Sequence, residues 1–344
     1  MRFKKKTYII AEVGANHNGS FSLAKKYVDL LSRLNVDAIK FQLADSFEVF
    51  SKDSFVADYH RKSKGYKSNQ NLISEDEKRQ LSLAEHLSIS KYCKRKKVDY
   101  LCSPFDLKSL KFLIEKVKVK KIKIPSGEIF SIDLLNYLNE SKKNFEIILS
   151  TGMANYNEIN ASLKFLNNIS RNRIKLLHCI SNYPTEINKI NLLSIPEMKK
   201  IFKCEIGFSD HTISNLSPCV AVGLGATIIE KHVTLDKKLV GPDHSMSLTI
   251  SEFGKLVSQI RSVEKMLGSK LKPISKEEIK IAKVARKSIV ANKNILIGSK
   301  IRLNDIRFKR PGTGILPIFY KKILNKKVKR TILANTIISK KNIF

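Results

Sequence analysis

Glu205-Ile206-Gly207-Phe208-Ser209-Asp210-His211-Thr212, followed after one helical stretch by Ala226-Thr227-Ile228-Ile229-Glu230-Lys231-His232, decides the fold. Each histidine closes a short apolar run, and Pro218–Gly225 between them reads as a helix. If the runs Glu205–Phe208 and Ala226–Ile229 pair as neighbouring parallel strands, their ends lie about 5 Å apart. Imidazoles leaving adjacent strand ends can share one cation, and two protein ligands leave most of its coordination sphere to water or substrate. The pattern points to an enzyme.

Outward from this pair, strand-like and helix-like segments alternate. Strands are expected at Tyr8–Val13, Ala38–Gln42, Tyr100–Ser103, Lys121–Pro125, Glu146–Ser150, Ile174–Cys179, Glu205–Phe208 and Thr227–Glu230. Helices are expected at Ser22–Leu34, Ser74–Lys96, Leu107–Val117, Ile132–Glu140, Tyr156–Asn168, Leu193–Phe202, Pro218–Gly225 and Ser251–Leu267. Eight strands each followed by a helix imply an α/β fold, a (β/α)8 TIM barrel with its site where the strands end. Nearly every strand run ends in a residue with chemistry, from Glu12 through Lys40 and Gln42 to Glu230 and His232. Ordinary strand-to-loop polarity explains a few such ends, not eight. The barrel is expected to occupy residues 1–268, with a linker at 269–284 and a small, mostly β domain at 285–344. In that last part Lys287–Ala291, Ile297–Ile301 and Asp305–Lys309 read as short strands. The long polar connection Leu43–Gln70 reads as a functional loop.

Composition narrows the class. A chain of 344 residues with 42% hydrophobic residues can bury a full core. No apolar run approaches the roughly 18–20 residues of a membrane span, and the basic start Met1–Lys6 is followed too soon by Glu12 to be a signal peptide. Five cysteines without a CxxC pair argue for reduced thiols and a cytoplasmic setting; Cys102 and Cys179 read as small core residues. The net charge of +33 invites a nucleic-acid-binding alternative, but only 13 of the 64 basic residues are Arg and no basic run is interleaved with aromatics.

Lys123-Ile124-Pro125-Ser126-Gly127-Glu128 sets an ammonium, a hydroxyl and a carboxylate at one strand end. Lys and Ser suit phosphate or carboxylate oxygens, while Glu suits a sugar hydroxyl or a proton transfer. With Lys40 and the turn Ser150-Thr151-Gly152-Met153, it reads as a pocket for a small, strongly anionic substrate. For Lys40 and Lys123 the bland reading is a structural ion pair with Glu12 or Glu128. His60 and His86 read as structural, His17 and His244 as loop-orienting, and His178 as either lining or packing.

These stretches, with Ile9–Gly19, Lys40-Phe41-Gln42, Ser103–Asp106, Leu149–Met153, Leu177-His178-Cys179, Tyr183-Pro184 and Gly241–His244, resemble the sialic acid synthases along nearly the whole chain. Lys309–Gly314 resembles the signature of that family's C-terminal antifreeze-like (SAF) domain. The resemblance implies condensation of phosphoenolpyruvate with an open-chain N-acylmannosamine-type sugar, giving a nine-carbon 2-keto acid and phosphate. N-acetylneuraminate synthase is the leading expectation, and a legionaminic or pseudaminic acid synthase acting on a 6-deoxy diacetamido sugar is the alternative. By the family's pattern, His211 and His232 hold a divalent metal, Mn2+ first, then Mg2+ or Co2+. Lys40, Ser103, Lys123, Ser126, Ser150 and Ser209 bind phosphoenolpyruvate. Gln42, Tyr183 and Asp243 face the sugar, and Glu12 and Glu128 transfer protons. The resemblance also implies a domain-swapped homodimer in which Arg310 reaches the neighbouring chain's substrate. Ser103 stands where many members have Thr, and Gly14–Gly19 has the form of the neuraminate and legionaminate branches. A related barrel synthase using a phosphorylated aldose would need a second cationic site, and no extra Arg cluster stands at a strand end.

Overall fold

Period-two alternation in the strands builds the barrel from the inside out. The computed structural model describes residues 6–55, 72–269 and 271–343. Eight parallel strands, β1 (Tyr8–Gly14), β2 (Ala38–Leu43), β3 (Asp99–Pro104), β4 (Lys121–Ile124), β5 (Glu146–Ser150), β6 (Ile174–Cys179), β7 (Glu205–Asp210) and β8 (Ile228–Thr234), pair in the order β3-β2-β1-β8-β7-β6-β5-β4. The two ends of that path, β3 and β4, lie side by side and bring the sheet round into a barrel. A two-residue strand, β9 (Leu248–Thr249), pairs parallel with the end of β8, Val233 against Leu248 and Thr234 against Thr249.

Alternate residues face opposite ways. Ile10, Ala38, Leu101, Ile148, Leu177 and Ile228 form one buried cluster inside the barrel. Their neighbours Ile9, Ala11, Ile39, Phe41, Cys102, Ile147, Leu149 and Ile229 belong to the larger core between sheet and helices. Gly207 is required in the inner layer, because a Cβ there would come within 2.5 Å of Leu177 and 2.6 Å of Ile228.

Among the described residues eight helices cover the outside: α1 (Phe21–Ser32), α2 (Leu83–Arg95), α3 (Leu107–Phe112), α4 (Ile132–Glu140), α5 (Tyr156–Phe165), α6 (Ser194–Phe202), α7 (Leu216–Gly223) and α8 (Ile250–Leu267). The single helix expected over Ser74–Lys96 is broken into a short turn, Leu72–Glu77, and α2. Ser82 and Glu85 form a reciprocal capping box that starts α2 afresh. The helix expected over Leu107–Val117 passes from α3 into a π-helical turn, Leu113–Val117, that ends at left-handed Lys118.

The chain divides into two compact units, Met1–Gly268 and Ser269–Phe344. The stretch read as a linker carries α9 (Lys276–Ala285) and is part of the second unit. That unit pairs β10 (Ser288–Ala291) with β11 (Ile306–Lys309) antiparallel around its own apolar cluster. Ile297–Ile301 is not a strand: it turns through Gly298 and makes one isolated bridge, Lys300 to Lys327. Among the described residues no helix is long and apolar enough to cross a membrane.

Candidate active site

Two residues beyond each inner-layer apolar side chain, the same face of the strand turns polar. Ile10 leads to Glu12, Ala38 to Lys40 and Gln42, Leu101 to Ser103, Ile148 to Ser150, Leu177 to Cys179, and Ile228 to Glu230 and His232. On β4, Ile122 and Ile124 belong to the outer core, which turns Lys123 inward. The result is a cavity of about 440 Å3 at the carboxyl ends of the strands, where (β/α)8 barrels carry their sites. Of the residues expected at the site, it is lined by Glu12, Lys40, Gln42, Ser103, Lys123, Ser126, Ser150, Tyr183, Ser209, His211, His232 and Asp243.

Two ammoniums and two carboxylates stand at its floor. Lys40 Nζ is 3.0 Å from Glu12 Oε1 and 3.5 Å from Glu230 Oε1, and Lys123 Nζ is 3.9 Å from the same Glu230 oxygen. Lys40 also donates to Ser103 Oγ at 3.0 Å, and Ser209 Oγ donates to Glu230 Oε1 at 3.2 Å. Charges this deep are costly unless paired. Burial pushes the Glu12 carboxyl up to about 7, with Lys40 pulling against it and Glu230 adding to it. Burial alone would raise Glu230 as well, but Lys123 and Lys40 outweigh it and keep that carboxylate below its ordinary value. Lys40 is held above its ordinary value because Glu12 and Glu230 overcome burial, whereas burial lowers Lys123 to about 8.

The imidazoles stand beside this floor, their ring centres 5.7 Å apart. His211 Nδ1 lies 2.7 Å from the Ile180 carbonyl, so it carries the hydrogen and leaves Nε2 its lone pair. Burial, then His211 and the lysines, hold His232 well below its ordinary value, in the neutral form that binds metals. His211 moves the other way: burial lowers it, but Cys179 and the Ile180 carbonyl raise it more. Asp243 Oδ2 is 3.6 Å from His232 Nδ1, too far for a hydrogen bond. The Tyr183 ring lies against His211, tilted by 35° with ring centres 4.0 Å apart, and meets His232 edge-on at 6.1 Å. Glu12, Gln42 and Asp243 converge at Gly14, whose φ of +54° suits a glycine and whose missing Cβ would lie 3.2–3.4 Å from all three side chains.

Buried side-chain polar atoms without a hydrogen-bond partner are uncommon in folded proteins. Among the described residues, Glu12 Oε2, Ser150 Oγ, Glu230 Oε2 and His232 Nδ1 are four such atoms, and all belong to residues lining this cavity. No three His, Cys, Asp or Glu side chains among the described residues form a ready-made metal cage. The open His232 nitrogen and the lone pair left on His211 nevertheless fit a cation completed by water or substrate.

Several residues fall elsewhere. Glu128 does not line the cavity, because its carboxylate accepts a hydrogen bond from Ser131 Oγ at the start of α4. Arg310 is exposed in the second unit, just after β11. His178 stacks on Phe208 and donates to the Ile190 carbonyl, outside the lining. His86 is fully buried and bonded to Tyr100, a structural role. Residues 56–70 of the expected Leu43–Gln70 loop, His60 among them, lie outside the described residues; Val49 and Phe50, earlier in that loop, line the cavity. Cys102 is core, but Cys179 is not merely that: its thiol reaches the cavity, 3.8 Å from His211 Nδ1. Glu230 is among the strand-end polar residues that the sequence points to, but no role is expected of it there; counting back by two from His232 along β8 places it on the same face, at the centre of the site.

A parallel barrel whose mouth gathers buried lysines, carboxylates and paired imidazoles has the architecture of a barrel enzyme. The chain belongs to the NeuB family, whose model matches residues 27–272, and a SAF domain model matches residues 286–343. It is 40% identical over 94% of its length, and 96% of the relative's, to an N,N'-diacetyllegionaminic acid synthase of Campylobacter jejuni. It is 32% identical to a pseudaminic acid synthase of Helicobacter pylori, over 96% of each chain. Among solved structures it resembles the N-acetylneuraminic acid (sialic acid) synthetase of Leptospira borgpetersenii in complex with citrate, with a TM-score of 0.71, 31% identity and coverage of 80% of this chain and 90% of that one. It is a member of a family of sialic-acid-like synthases.

Proposed function

We propose that this chain condenses phosphoenolpyruvate, the open-chain form of an N-acylated mannosamine-type sugar and water into a nine-carbon 2-keto acid, releasing phosphate. The observation that carries this reading is a cavity at the barrel mouth lined by two lysines and by Ser103, Ser126, Ser150 and Ser209 beside a pair of imidazoles. Lys40 and Lys123 offer charge to the phosphate and carboxylate, with Ser103, Ser126, Ser150 and Ser209 as hydrogen-bond donors. Gln42, Tyr183 and Asp243 line the side where the sugar would lie. His211 and His232 would hold a divalent cation, Mn2+ first, whose chemistry is to polarise the sugar aldehyde as a Lewis acid.

The reaction joins C3 of phosphoenolpyruvate to the aldehyde carbon, and the aldehyde oxygen gains a proton. Glu12, pushed up to about 7, is suited to giving and taking a proton near neutrality. Carbon C2 gains positive charge as the new bond forms, and Glu230 supplies a fixed negative charge beside the anion cradle. Water then adds at C2, and cleavage of the C2–O bond releases phosphate and leaves the ketone.

The relatives support a different first acceptor from the one expected on sequence alone. The 40% identity to an N,N'-diacetyllegionaminic acid synthase, against 31% to a sialic acid synthetase, supports a 6-deoxy diacetamido sugar as the first acceptor. N-acetylmannosamine is the second reading, favoured by the likeness to a sialic acid synthetase at 31% identity. The test is an acceptor panel followed by phosphate release and product mass, with a phosphorylated aldose included. Release should require phosphoenolpyruvate, an unphosphorylated N-acyl sugar and a divalent metal together, and chelation should abolish it. Full turnover after chelation, or turnover with the phosphorylated aldose alone, would reject this reading. The resemblance also supports a cytoplasmic homodimer with Arg310 delivered to the neighbouring site; size-exclusion chromatography and the sugar KM of Arg310→Ala test that part.

A further inference from the structure

We propose that Asp210 and Lys231 are positioning residues that hold the two imidazoles in fixed relation, by clamping together the strand ends that carry them. They immediately precede His211 and His232, and they face each other in register across β7 and β8. Neither lines the cavity, and their side chains are 0% and 2% exposed. Lys231 Nζ lies 2.5 Å from Asp210 Oδ2 and donates to the Thr212 carbonyl at 2.7 Å. Asp210 Oδ1 accepts from Thr212 N at 2.9 Å, and Oδ2 from Ser217 Oγ of α7 at 3.0 Å and Thr212 Oγ1 at 3.2 Å. The residues on both sides of His211 are thus tied to the ammonium that precedes His232. A third tie joins Thr185 N to the His211 carbonyl at 2.9 Å.

Stability does not require such a pair, since well-packed apolar side chains of equal volume often serve as well as a buried ion pair. A directional network does what packing cannot: it sets the rotation and spacing of two neighbouring strand ends. A cation bridging two ligands needs that spacing held, and loss of supporting contacts around metal ligands costs 10–100-fold in affinity in known sites. The inference rests on the reading of His211 and His232 as metal ligands.

The test uses the full chain with the double substitution Asp210→Asn and Lys231→Met, which removes both charges and leaves neither uncompensated. Mn2+ binding is read from the paramagnetic resonance signal of free Mn2+, and phosphoenolpyruvate binding by calorimetry in the presence of chelator. Wild type should bind Mn2+, and the double variant should bind it about tenfold or more weakly, with phosphoenolpyruvate affinity within about twofold of wild type and a cooperative thermal transition retained. A general loss of structure would weaken both ligands together. If the double variant does not fold, Ser217→Ala, which removes one of Asp210's bonds, carries the test with an expected loss on the order of threefold in Mn2+ affinity alone. Unchanged Mn2+ binding in the variant overturns the clamp. No Mn2+ binding by wild type overturns the metal reading and the clamp with it.

Discussion

Lys123 shows how a single residue's role depends on what surrounds it. In sequence it is one lysine among many, with a structural ion pair as its bland reading. In the structure it is buried, donates to the Ile124 carbonyl at 3.2 Å, and shares Glu230 with Lys40 at a longer distance than Lys40 keeps. Lys123→Met removes a charge that faces Glu230 at 3.9 Å and leaves Glu230 its closer contact with Lys40 at 3.5 Å. We expect the KM for phosphoenolpyruvate to rise about 10–100-fold, the loss of one charge-assisted hydrogen bond or slightly more, with Mn2+ affinity little changed. Steady-state kinetics with the acceptor saturating reads this directly.

His86 gives a second test at this scale. Burial first, then the neighbouring His17, lowers it to about 3 from an ordinary 6.5. As pH falls below about 6.5 the unfolded chain takes up a proton that the folded one refuses, so this residue's stabilisation is present above that pH and lost below it. His86→Asn removes the titration. Between pH 7.5 and 5 the gap in unfolding free energy should move by about 2 kcal/mol in the variant's favour, measured by urea denaturation at both pH values.

Elements were legible where the strand pattern repeats. β5 and β6 have their expected ends and the other six strands stand within four residues of theirs, because each is a short apolar run bounded by polar or turn residues. A single helix is expected over Ser74–Lys96 because no Gly or Pro interrupts that stretch, even though the Ser82–Glu85 capping box marks the break. The second unit was harder to read. Its β10–β11 pair is short and much of its pairing comes as isolated bridges, which leave little periodic trace. Gly207 tests the strand layer. Gly207→Ala places a methyl group against Leu177 and the Ile228 backbone, neither of which can move without disturbing the inner layer. Overpacking of this kind costs about 1–3 kcal/mol, seen as a lower urea midpoint with unchanged slope.

At the scale of the whole molecule, the charge of +33 is the property least tied to the site. A basic chain draws anions over long range, and a phosphorylated, carboxylated substrate benefits from such a field. Nucleic-acid binding makes a different demand, and a mobility-shift titration should show no complex at about 150 mM salt, where nonspecific contacts are largely screened. A complex that persisted there and survived His211→Ala would support the discarded alternative.

The order of strands and helices, the barrel and most of the residues at its mouth were determined by sequence, because alternation along a strand and the place where it ends are local properties of the chain. Which of those polar ends meet was decided by the closed sheet. Register across β1, β8 and β7 sets Glu12 beside His232, from opposite ends of the barrel sequence, and Ser209 beside Glu230. The same closure turned Cys179 into the cavity, and a local bond to Ser131 kept Glu128 out of it. Only folding could show that Asp210 and Lys231, outward-facing partners of the site's own residues, lock the two imidazole-bearing strands, because a contact across a ladder has no signature along the chain.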